Sequence, residues 1–321
     1  MNKKNRTLLI VLLALIIVAG IVAAVFAVRS KTQNDETLQK IYLASSNLTI
    51  EIPKDYLKSG ISTADTDLNQ ADAYYNTRTQ IDFSVFFRAK ATGETLTDAI
   101  SADSSRFFAE YKETVINGVN AGYYNMRMPF ETGEYHAYAY MLEDGDYLVE
   151  LVFWLLDPDD FPQVEKILST LKQNPSKYVD DPARIRLGTS SLSVLNTKNY
   201  QKGDITSFDA SISQVAYFKS DETLVDFDIY QWAKADGETL VGVAEAEAEE
   251  YEDDIEVKTV NINGMELVYY YATDEYDGVE YSTVTYIVED DGDFVELVFW
   301  LDGETAAEEA DAIIQTISGS N

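Results

Sequence analysis

The sequence predicts an α+β protein in which an N-terminal transmembrane helix precedes two tandem duplicated domains, each an antiparallel sheet with helices packed on it. Three observations lead to this prediction. The heptapeptide Val-Glu-Leu-Val-Phe-Trp-Leu occurs twice, at residues 149–155 and 295–301. Residues 7–28 contain no charged side chain. Alternating strands and amphipathic helices recur in the same order before each heptapeptide.

The uncharged segment, residues 7–28, is long enough to cross a membrane. As an α-helix it spans about 33 Å, at roughly 1.5 Å per residue. A cleaved signal peptide with its cleavage site at Val25–Ala27 is the alternative, but the apolar region of such peptides usually has about 7–15 residues. We therefore predict an uncleaved anchor. Three basic residues precede it and two follow it, which favours a cytoplasmic N-terminus and an external body.

Repeated sequence divides the rest of the chain into two copies. Ile81–Val85 matches Val225–Ile229 at an offset of 144, and Ile116–Gly118 matches Ile262–Gly264 at an offset of 146. A period of this length is too long for a solenoid repeat and indicates two whole domains. The predicted segments are a cytoplasmic tail at 1–6, the transmembrane helix at 7–28, a polar tether at 29–40, the first copy at 41–174, a linker at 175–184 and the strongly acidic second copy at 185–321.

Hydrophobic periodicity predicts the first elements of each copy. A strand at Leu48–Ile52 stops at a proline, and a second strand alternates apolar and polar residues over Ile81–Phe87. Thr95 and Asp98 then form a capping box that starts a helix. The predicted apolar face of this helix is Leu96, Ile100, Phe107, Phe108 and Tyr111, and that of its equivalent, which begins near Thr239, is Leu240, Val243, Ala244 and Tyr251.

The heptapeptide strand is apolar on both faces, which makes it the central element of the prediction. Three further strands precede it, and an Asp-Gly turn leads into it. Leu148, Val152 and Trp154 point to one side of the sheet, and the alternate residues from Val149 to Leu155 point to the other. We therefore predict a middle strand between two helical layers, one of them the amphipathic helix that closes each copy.

The order of elements and some local sequence resemble the Mog1/PsbP-like superfamily. The residues that carry the resemblance are Leu48–Tyr56, Gly93–Leu96, Ile116–Gly118, the aromatic strand at 147–155 and Ile167–Leu171. The second copy departs at its first strand, Leu192–Asn196, which lacks the proline. The resemblance implies an accessory or binding role in a bacterial envelope, with protein partners. It implies no catalytic residue, because the superfamily has no shared catalytic set.

Composition excludes several classes of function. The chain has 24 basic and 56 acidic residues, so it repels nucleic acid and attracts cations and basic partners. It has no cysteine, which excludes disulfides, thiolate catalysis and Cys-ligated metals. Its single histidine, His136, cannot form a multi-histidine metal site. We predict no cofactor.

Two equivalent glutamates are the candidate catalytic residues. Glu150 and Glu296 occupy the same place in the duplicated heptapeptide, among apolar neighbours. Partial burial there would raise the pKa of a carboxyl group, which is typical of a working acid. A purely structural glutamate is the alternative, and the two residues lie in separate copies, so they do not form the close carboxylate pair that a glycosidase needs.

Acidic segments are the candidate binding and metal sites. Glu247, Glu250, Asp253 and Asp254 belong to an acidic run that is either a solvated helix face or a docking surface for a basic partner. Asp290, Asp291 and Asp293 are candidate calcium ligands, although their spacing does not match a helix–loop–helix site and the Asp-Gly turn already explains them.

These observations predict a function class rather than a reaction. We expect a membrane-anchored, extracytoplasmic, non-catalytic binding or accessory protein of a bacterial envelope, at the surface of a Gram-positive cell. Its expected partners are the membrane, through the N-terminal helix, and a basic protein, another envelope component or diffuse cations. The alternatives are an envelope hydrolase that uses carboxylates, and a structural surface spacer.

Overall fold

The structure, a computed structural model, describes residues 37–319 except 77, 80, 131–132, 177–180, 252–254, 277–278 and 304. The described chain divides into two compact units. Unit 1 ends at Pro175 and unit 2 begins at Ser176, with Arg88–Thr92 grouped with unit 2. Asp253 and Asp254 of the predicted acidic patch lie outside the described residues.

Unit 1 has ten strands and three helices in its described part. The strands are β1 (Leu38–Tyr42), β2 (Leu48–Pro53), β3 (Leu57–Ser59), β4 (Gln70–Tyr75), β5 (Ile81–Ala89), β6 (Tyr111–Ile116), β7 (Val119–Phe130), β8 (Gly133–Asp144), β9 (Tyr147–Leu155) and β10 (Lys172–Gln173). The helices are α1 (Thr63–Thr66), α2 (Leu96–Arg106) and α3 (Phe161–Leu168), the last preceded by a 3₁₀ turn at Pro158–Asp160.

Unit 2 has the same order of elements among its described residues. The strands are β11 (Arg184–Arg186), β12 (Leu192–Leu195), β13 (Gln201–Lys202), β14 (Gln214–Lys219), β15 (Val225–Ala233), β16 (Lys258–Ile262), β17 (Met265–Tyr276), β18 (Val279–Asp290), β19 (Asp293–Leu301) and β20 (Ser318–Gly319). The helices are α4 (Ser207–Ser211), α5 (Leu240–Ala248) and α6 (Ala306–Ile314).

Each unit has a seven-stranded antiparallel sheet with the heptapeptide strand at its centre. The strand order is β3-β4-β5-β9-β8-β7-β6 in unit 1 and β13-β14-β15-β19-β18-β17-β16 in unit 2. β9 and β19 are therefore the fourth of seven strands, which confirms the prediction of a middle strand. The two-residue turns before them use left-handed backbone, at Gly145 in unit 1 and at Asp291 and Gly292 in unit 2.

The two faces of the unit 1 sheet are covered by different layers. One face, with Val149, Leu151 and Phe153, packs against the apolar side of α3 and against strand β2. The other face, with Val152 and Trp154, packs against Ala99 and Ile100 of α2. Both faces of the heptapeptide strand are buried as predicted.

A second sheet in each unit corrects the predicted fold class. The structure has three-stranded sheets β1-β2-β10 and β11-β12-β20, whereas the sequence predicted one sheet per copy between helices. The small sheet escaped prediction because its outer strands are short. β1, which overlaps the end of the predicted tether, has five residues, Leu-Gln-Lys-Ile-Tyr, which alternate between exposed and half-buried, and β10 has two residues. Pairing with β2, rather than periodicity, makes them strands.

The transmembrane helix in the predicted fold class also needs correction. Over the described residues, from 37 to 319 with the gaps given above, no helix is both long and apolar enough to cross a membrane. The segment assigned to that helix, residues 7–28, lies outside the described residues.

The predicted apolar face of α2 is correct at Leu96, Ile100, Phe107 and Tyr111, which pack in one cluster, and wrong at Phe108. Thr95 caps the helix as predicted, since its Oγ1 accepts from Asp98 N at 3.1 Å and Asp98 Oδ2 accepts from Thr95 N at 3.0 Å. The helix ends at Arg106, however, and Phe108 is 99% exposed with a φ of +54°. The left-handed turn at Phe108 breaks the helical periodicity, so Phe108 does not follow Ile100 into the core.

Candidate functional site

Each unit holds a tyrosine and two carboxylates where its first long helix meets the sheet. The central strand supplies Glu150 in unit 1 and Glu296 in unit 2. Because side chains alternate along a strand, Glu150 shares a face with Val152 and Trp154, the face that α2 covers. Glu296 shares a face with Phe294, which packs against Leu240 and Ala244 of α5. The apolar pattern of the heptapeptide thus brings one carboxylate per unit beneath a helix.

In unit 1, the helix contributes both an acid and a base to this site. Tyr124, on β7, is 2% exposed and donates from Oη to Glu150 Oε1 at 3.0 Å. On α2, Arg106 Nη1 lies 3.4 Å from Asp103 Oδ1. Burial, followed by the charges of Glu150 and Asp103, raises the pKa of Tyr124, and the charge of Arg106 opposes this rise. The guanidinium of Arg106 therefore lies near the phenol and offsets the local negative charge.

In unit 2, the equivalent site is more strongly acidic. Tyr270, on β17, is 2% exposed and donates from Oη to Glu247 Oε2 at 3.2 Å. Burial raises the pKa of Glu247 to about 7, with the Tyr270 hydrogen bond lowering it and the charge of Glu250 raising it. Burial raises the pKa of Glu296 well above its ordinary value, and the charges of Glu247 and Asp228 raise it further. The two glutamates thus oppose each other's ionisation.

Equivalent positions in the two units show how this difference arises. An offset of 144 relates the helix caps Thr95 and Thr239, and an offset of 146 relates the heptapeptides. With these offsets, the equivalent pairs are Asp103 and Glu247, Arg106 and Glu250, Tyr124 and Tyr270, and Glu150 and Glu296. Three of the four pairs keep their chemistry. The fourth reverses its charge, from a guanidinium in unit 1 to a carboxylate in unit 2.

This arrangement can hold a proton or a cation in unit 2. Two partly buried carboxyl groups with raised pKa values gain stability when one is protonated or when a positive group neutralises them. The phenol of Tyr270 is neutral, because burial and the charges of Glu247 and Glu296 raise its pKa. It can therefore donate a hydrogen bond and orient Glu247 without adding charge.

The acidic residues that the sequence groups together do not all lie together in the structure. The sequence predicts one acidic patch that contains Glu247 and Glu250, but Glu247 is partly buried against the sheet and Glu250 is exposed. Glu247 instead lies close enough to Glu296 for its charge to raise the pKa of that residue, which the sequence predicts as a separate, candidate catalytic residue. Sequence reasoning missed Tyr270 and Asp228 as neighbours of these groups. For Tyr270 the available signal was its match to Tyr124, at the same offset of 146 that relates Glu150 to Glu296.

The candidate calcium ligands have backbone and side-chain partners. Asp290 accepts from Ser191 N at 2.6 Å and from Ser191 Oγ at 2.8 Å, which joins the small sheet to the large one. Asp293 Oδ2 accepts from Gln231 Nε2 at 2.7 Å, and Asp291 occupies the left-handed turn. Within the part of the chain that the structure describes, no group of three or more His, Asp or Glu side chains could hold a metal ion.

Comparison with protein families and curated proteins identifies no relative. No family model matches the chain, and no curated protein sequence is significantly similar to it. Solved structures with a related arrangement of strands and helices do exist.

Three of these structures illustrate the level of similarity. Cyanobacterial PsbP (CyanoP) from Synechocystis sp. PCC 6803 is 12% identical, with a TM-score of 0.37, over 46% of this chain and 98% of its own. A Bacteroides thetaiotaomicron protein is 10% identical, with a TM-score of 0.35, over 75% of this chain and 87% of its own. The Pseudomonas aeruginosa type VI secretion immunity protein TplEi is 8% identical, with a TM-score of 0.35, over 88% of this chain and 97% of its own.

A PsbP-like protein is thus among the structural neighbours, as the sequence resemblance anticipated. Identities and TM-scores this low carry no argument about function. Two tandem Mog1/PsbP-like domains remain a prediction. The chain is similar to these α+β proteins and is assigned to no family.

Proposed function

We propose that this protein is a non-catalytic binding module, and that unit 2 recognises a basic side chain of a partner protein at Glu247 and Glu296. The observation that carries the proposal is the charge reversal between equivalent positions. Unit 1 places Arg106 beside its own acidic site, whereas unit 2 has Glu250 in that position. A lysine or arginine from outside would supply the charge that unit 1 supplies internally.

Local electrostatics support a basic partner over diffuse attraction of cations. A unit charge about 4 Å from another interacts by roughly 1 kcal/mol in water, but by about 4 kcal/mol at the effective dielectric constant near a protein surface. Glu247 and Glu296 are partly buried, so a cation bound there interacts more strongly than one at an exposed acid such as Glu245. Arginine suits the site because its planar guanidinium can donate hydrogen bonds to two carboxylate partners at once.

The proposal extends to the surroundings in which such a module would work. An acidic, cysteine-free body that binds basic protein segments suits an accessory role in a bacterial envelope. The Mog1/PsbP-like resemblance of each copy supports the same role by analogy. Fractionation of cells that express the chain would test this placement, and recovery only with cytosolic proteins would contradict it.

A titration with an arginine peptide tests the binding site. The probe is a short peptide with one arginine between glycines, and its citrulline counterpart is the neutral control. We expect saturable binding of the arginine peptide by calorimetry, weakening with salt, and an about tenfold loss of affinity in Glu250→Arg, equivalent to about 1.4 kcal/mol.

Glu245→Arg is the matched control, because Glu245 is an exposed acid on α5, five residues before Glu250, and the change in net charge is identical. A loss in Glu250→Arg that clearly exceeds the loss in Glu245→Arg supports a specific site. Equal losses in the two variants would reduce the interaction to diffuse charge attraction. Equal binding of the citrulline peptide would exclude recognition of a cation.

Glu296 favours one alternative, an envelope hydrolase that uses a carboxyl group as its acid. Its raised pKa is the observation behind this alternative, since catalytic acids are often protonated near neutral pH. Turnover of an envelope polymer by the wild-type chain that is lost in Glu296→Gln would favour the enzyme. Turnover that is unchanged in both Glu150→Gln and Glu296→Gln would exclude these two residues as its acid.

A further inference from the structure

A buried polar site on the large sheet differs between the two units. In unit 2, Asp228 of β15 lies on the same sheet face as Glu296, because Tyr230, two residues along, pairs directly with Glu296. Asp228 Oδ1 accepts from Gln214 Nε2 at 2.7 Å, and Oδ2 accepts from Trp300 Nε1 at 2.6 Å. One carboxylate thus satisfies an amide donor and an indole donor in the interior of unit 2.

Strand register identifies the equivalent site in unit 1. The β4–β5 pairing and the β14–β15 pairing have the same register, with the same shift after the first glutamine. Gln70 pairs with Phe86 in unit 1, and Gln214 pairs with Tyr230 in unit 2. Ser84 pairs with Ala73, and Asp228 pairs with Tyr217 at the equivalent place. Trp154 pairs with Ala137, and Trp300 pairs with Thr283. Gln70, Ser84 and Trp154 therefore occupy the three positions, and all three are buried.

Unit 1 has Ser84 where unit 2 has Asp228, and this difference removes the carboxylate that accepts the indole hydrogen bond. The serine side chain ends one atom from Cβ, and it offers no carboxylate oxygens. Trp154 is 8% exposed, and among the described residues no group accepts a hydrogen bond from its Nε1. The indole N–H is a donor only, so its burial without an acceptor is unfavourable. In unit 1 the donor is kept and its internal acceptor is lost.

We propose that unit 1 binds a small carboxylate at Ser84 and Trp154, in the place that the Asp228 side chain occupies in unit 2. The two oxygens would accept from Trp154 Nε1 and Gln70 Nε2, as those of Asp228 accept from Trp300 and Gln214. Burial of all three side chains restricts the ligand to a small acid such as formate or acetate, or to the carboxylate end of a longer one. This site is independent of the basic-partner site proposed for unit 2.

Neighbouring charge sets the expected strength of binding. Asp82 precedes Ser84 by two residues, so the two side chains share a sheet face. Burial raises the pKa of Asp82 to about 6, so it is mostly charged at neutral pH. In unit 2, burial raises the pKa of Asp228, and the charges of Asp209 and of Asp226, the equivalent of Asp82, raise it further. A carboxylate in unit 1 meets repulsion from Asp82, which predicts weak binding.

Indole resonances provide a direct test, because the chain has only three tryptophans. Two-dimensional ¹⁵N NMR of the full chain is recorded during titration with sodium acetate, with sodium chloride as the ionic-strength control and Trp154→Phe for assignment. We expect acetate to shift the Trp154 indole N–H saturably and to leave the Trp300 indole unchanged. Ser84→Asp should abolish the response, because the new carboxylate occupies the site.

The reciprocal variant tests the same reasoning in unit 2. Asp228→Ser should make the Trp300 indole responsive to acetate. If that variant does not fold, the comparison of wild type with Ser84→Asp decides alone. Absence of a saturable acetate shift, or an equal shift in Ser84→Asp, would overturn the proposal and leave water as the acceptor for Trp154. A response to acetamide but not to acetate would overturn the assignment of a carboxylate.

Discussion

Replacement of Glu296 by glutamine should stabilise unit 2 at pH 8 and have little effect at pH 5. The pKa of Glu296 is raised in the folded state, mainly by burial and then by Glu247 and Asp228. A carboxyl group with a raised folded-state pKa binds its proton more tightly in the folded protein than in the unfolded chain. Its contribution to stability is therefore complete below the unfolded-state pKa and is lost as pH rises through the folded-state pKa.

Glu247 supplies the scale of this effect. Its pKa rises from an ordinary 4.5 to about 7, so unit 2 loses stability over that window as the pH increases. At about 1.4 kcal/mol per pH unit, the loss over about 2.5 units is at most about 3.5 kcal/mol. Solvent reduces it, because the side chain is only partly buried. Glutamine at 296 keeps the shape and removes one of the two opposing charges, so we expect a gain of about 1–3 kcal/mol at pH 8.

Urea denaturation of the full chain at pH 5 and pH 8 measures the difference. Indole resonances of Trp232 and Trp300 report on unit 2, and that of Trp154 reports on unit 1. Glu150→Gln is the matched control, since Arg106 lies beside the equivalent site, and it should give no gain at pH 8. The reasoning is refuted if Glu296→Gln shifts the unfolding free energy of unit 2 equally at both pH values, or if the wild-type stability of unit 2 does not fall between them.

Three further variants test other contacts. Asn263→Ala should lower the unfolding free energy of unit 2 by about 2–4 kcal/mol in urea, because Asn263 Nδ2 donates to two carbonyls after α6 and its φ is +54°; a loss under about 0.5 kcal/mol would contradict this. Thr95→Ala should cost unit 1 about 1 kcal/mol through loss of the α2 cap, and an unchanged urea midpoint would argue against that cap. Arg106→Glu should give unit 1 an arginine-peptide site, so calorimetry should show two bound peptides per chain; unchanged stoichiometry would weaken the charge-reversal argument.

The heptapeptide strand could be predicted because its alternation contains the needed information. Both of its faces are apolar, and only a position inside a sheet covered on both sides buries both. The Asp-Gly turn and the Thr95 capping box are equally local, since each depends on residues within a few positions. The small sheets could not be predicted in this way. β1 and β10 have no periodic pattern, and they exist because β2 offers its edges.

The candidate sites show the same division. Sequence alone identified Glu296 as a carboxylate among apolar neighbours, and it identified Glu247 within an acidic run. Their proximity depends on the packing of α5 over β17 and β19, which brings residues 49 positions apart to one tyrosine. The difference between Asp228 and Ser84 is visible in the sequence, but its effect on the hydrogen bonding of a buried indole is not. Only the strand registers place a buried indole beside each residue.

Sequence by itself therefore determined the central strands, the helix start at Thr95, the acidic balance and the exclusion of cysteine and multi-histidine chemistry. These properties follow from composition or from contacts between near neighbours in the chain. Tertiary structure decided which carboxylates meet, which are partly buried and which indole has no acceptor among the residues that the structure describes. The physical reason is that pKa values and hydrogen bonding depend on burial and on neighbours that folding brings together. The heptapeptide places Glu150 and Glu296 on the sheet, but it does not specify which side chains of the covering helix contact them.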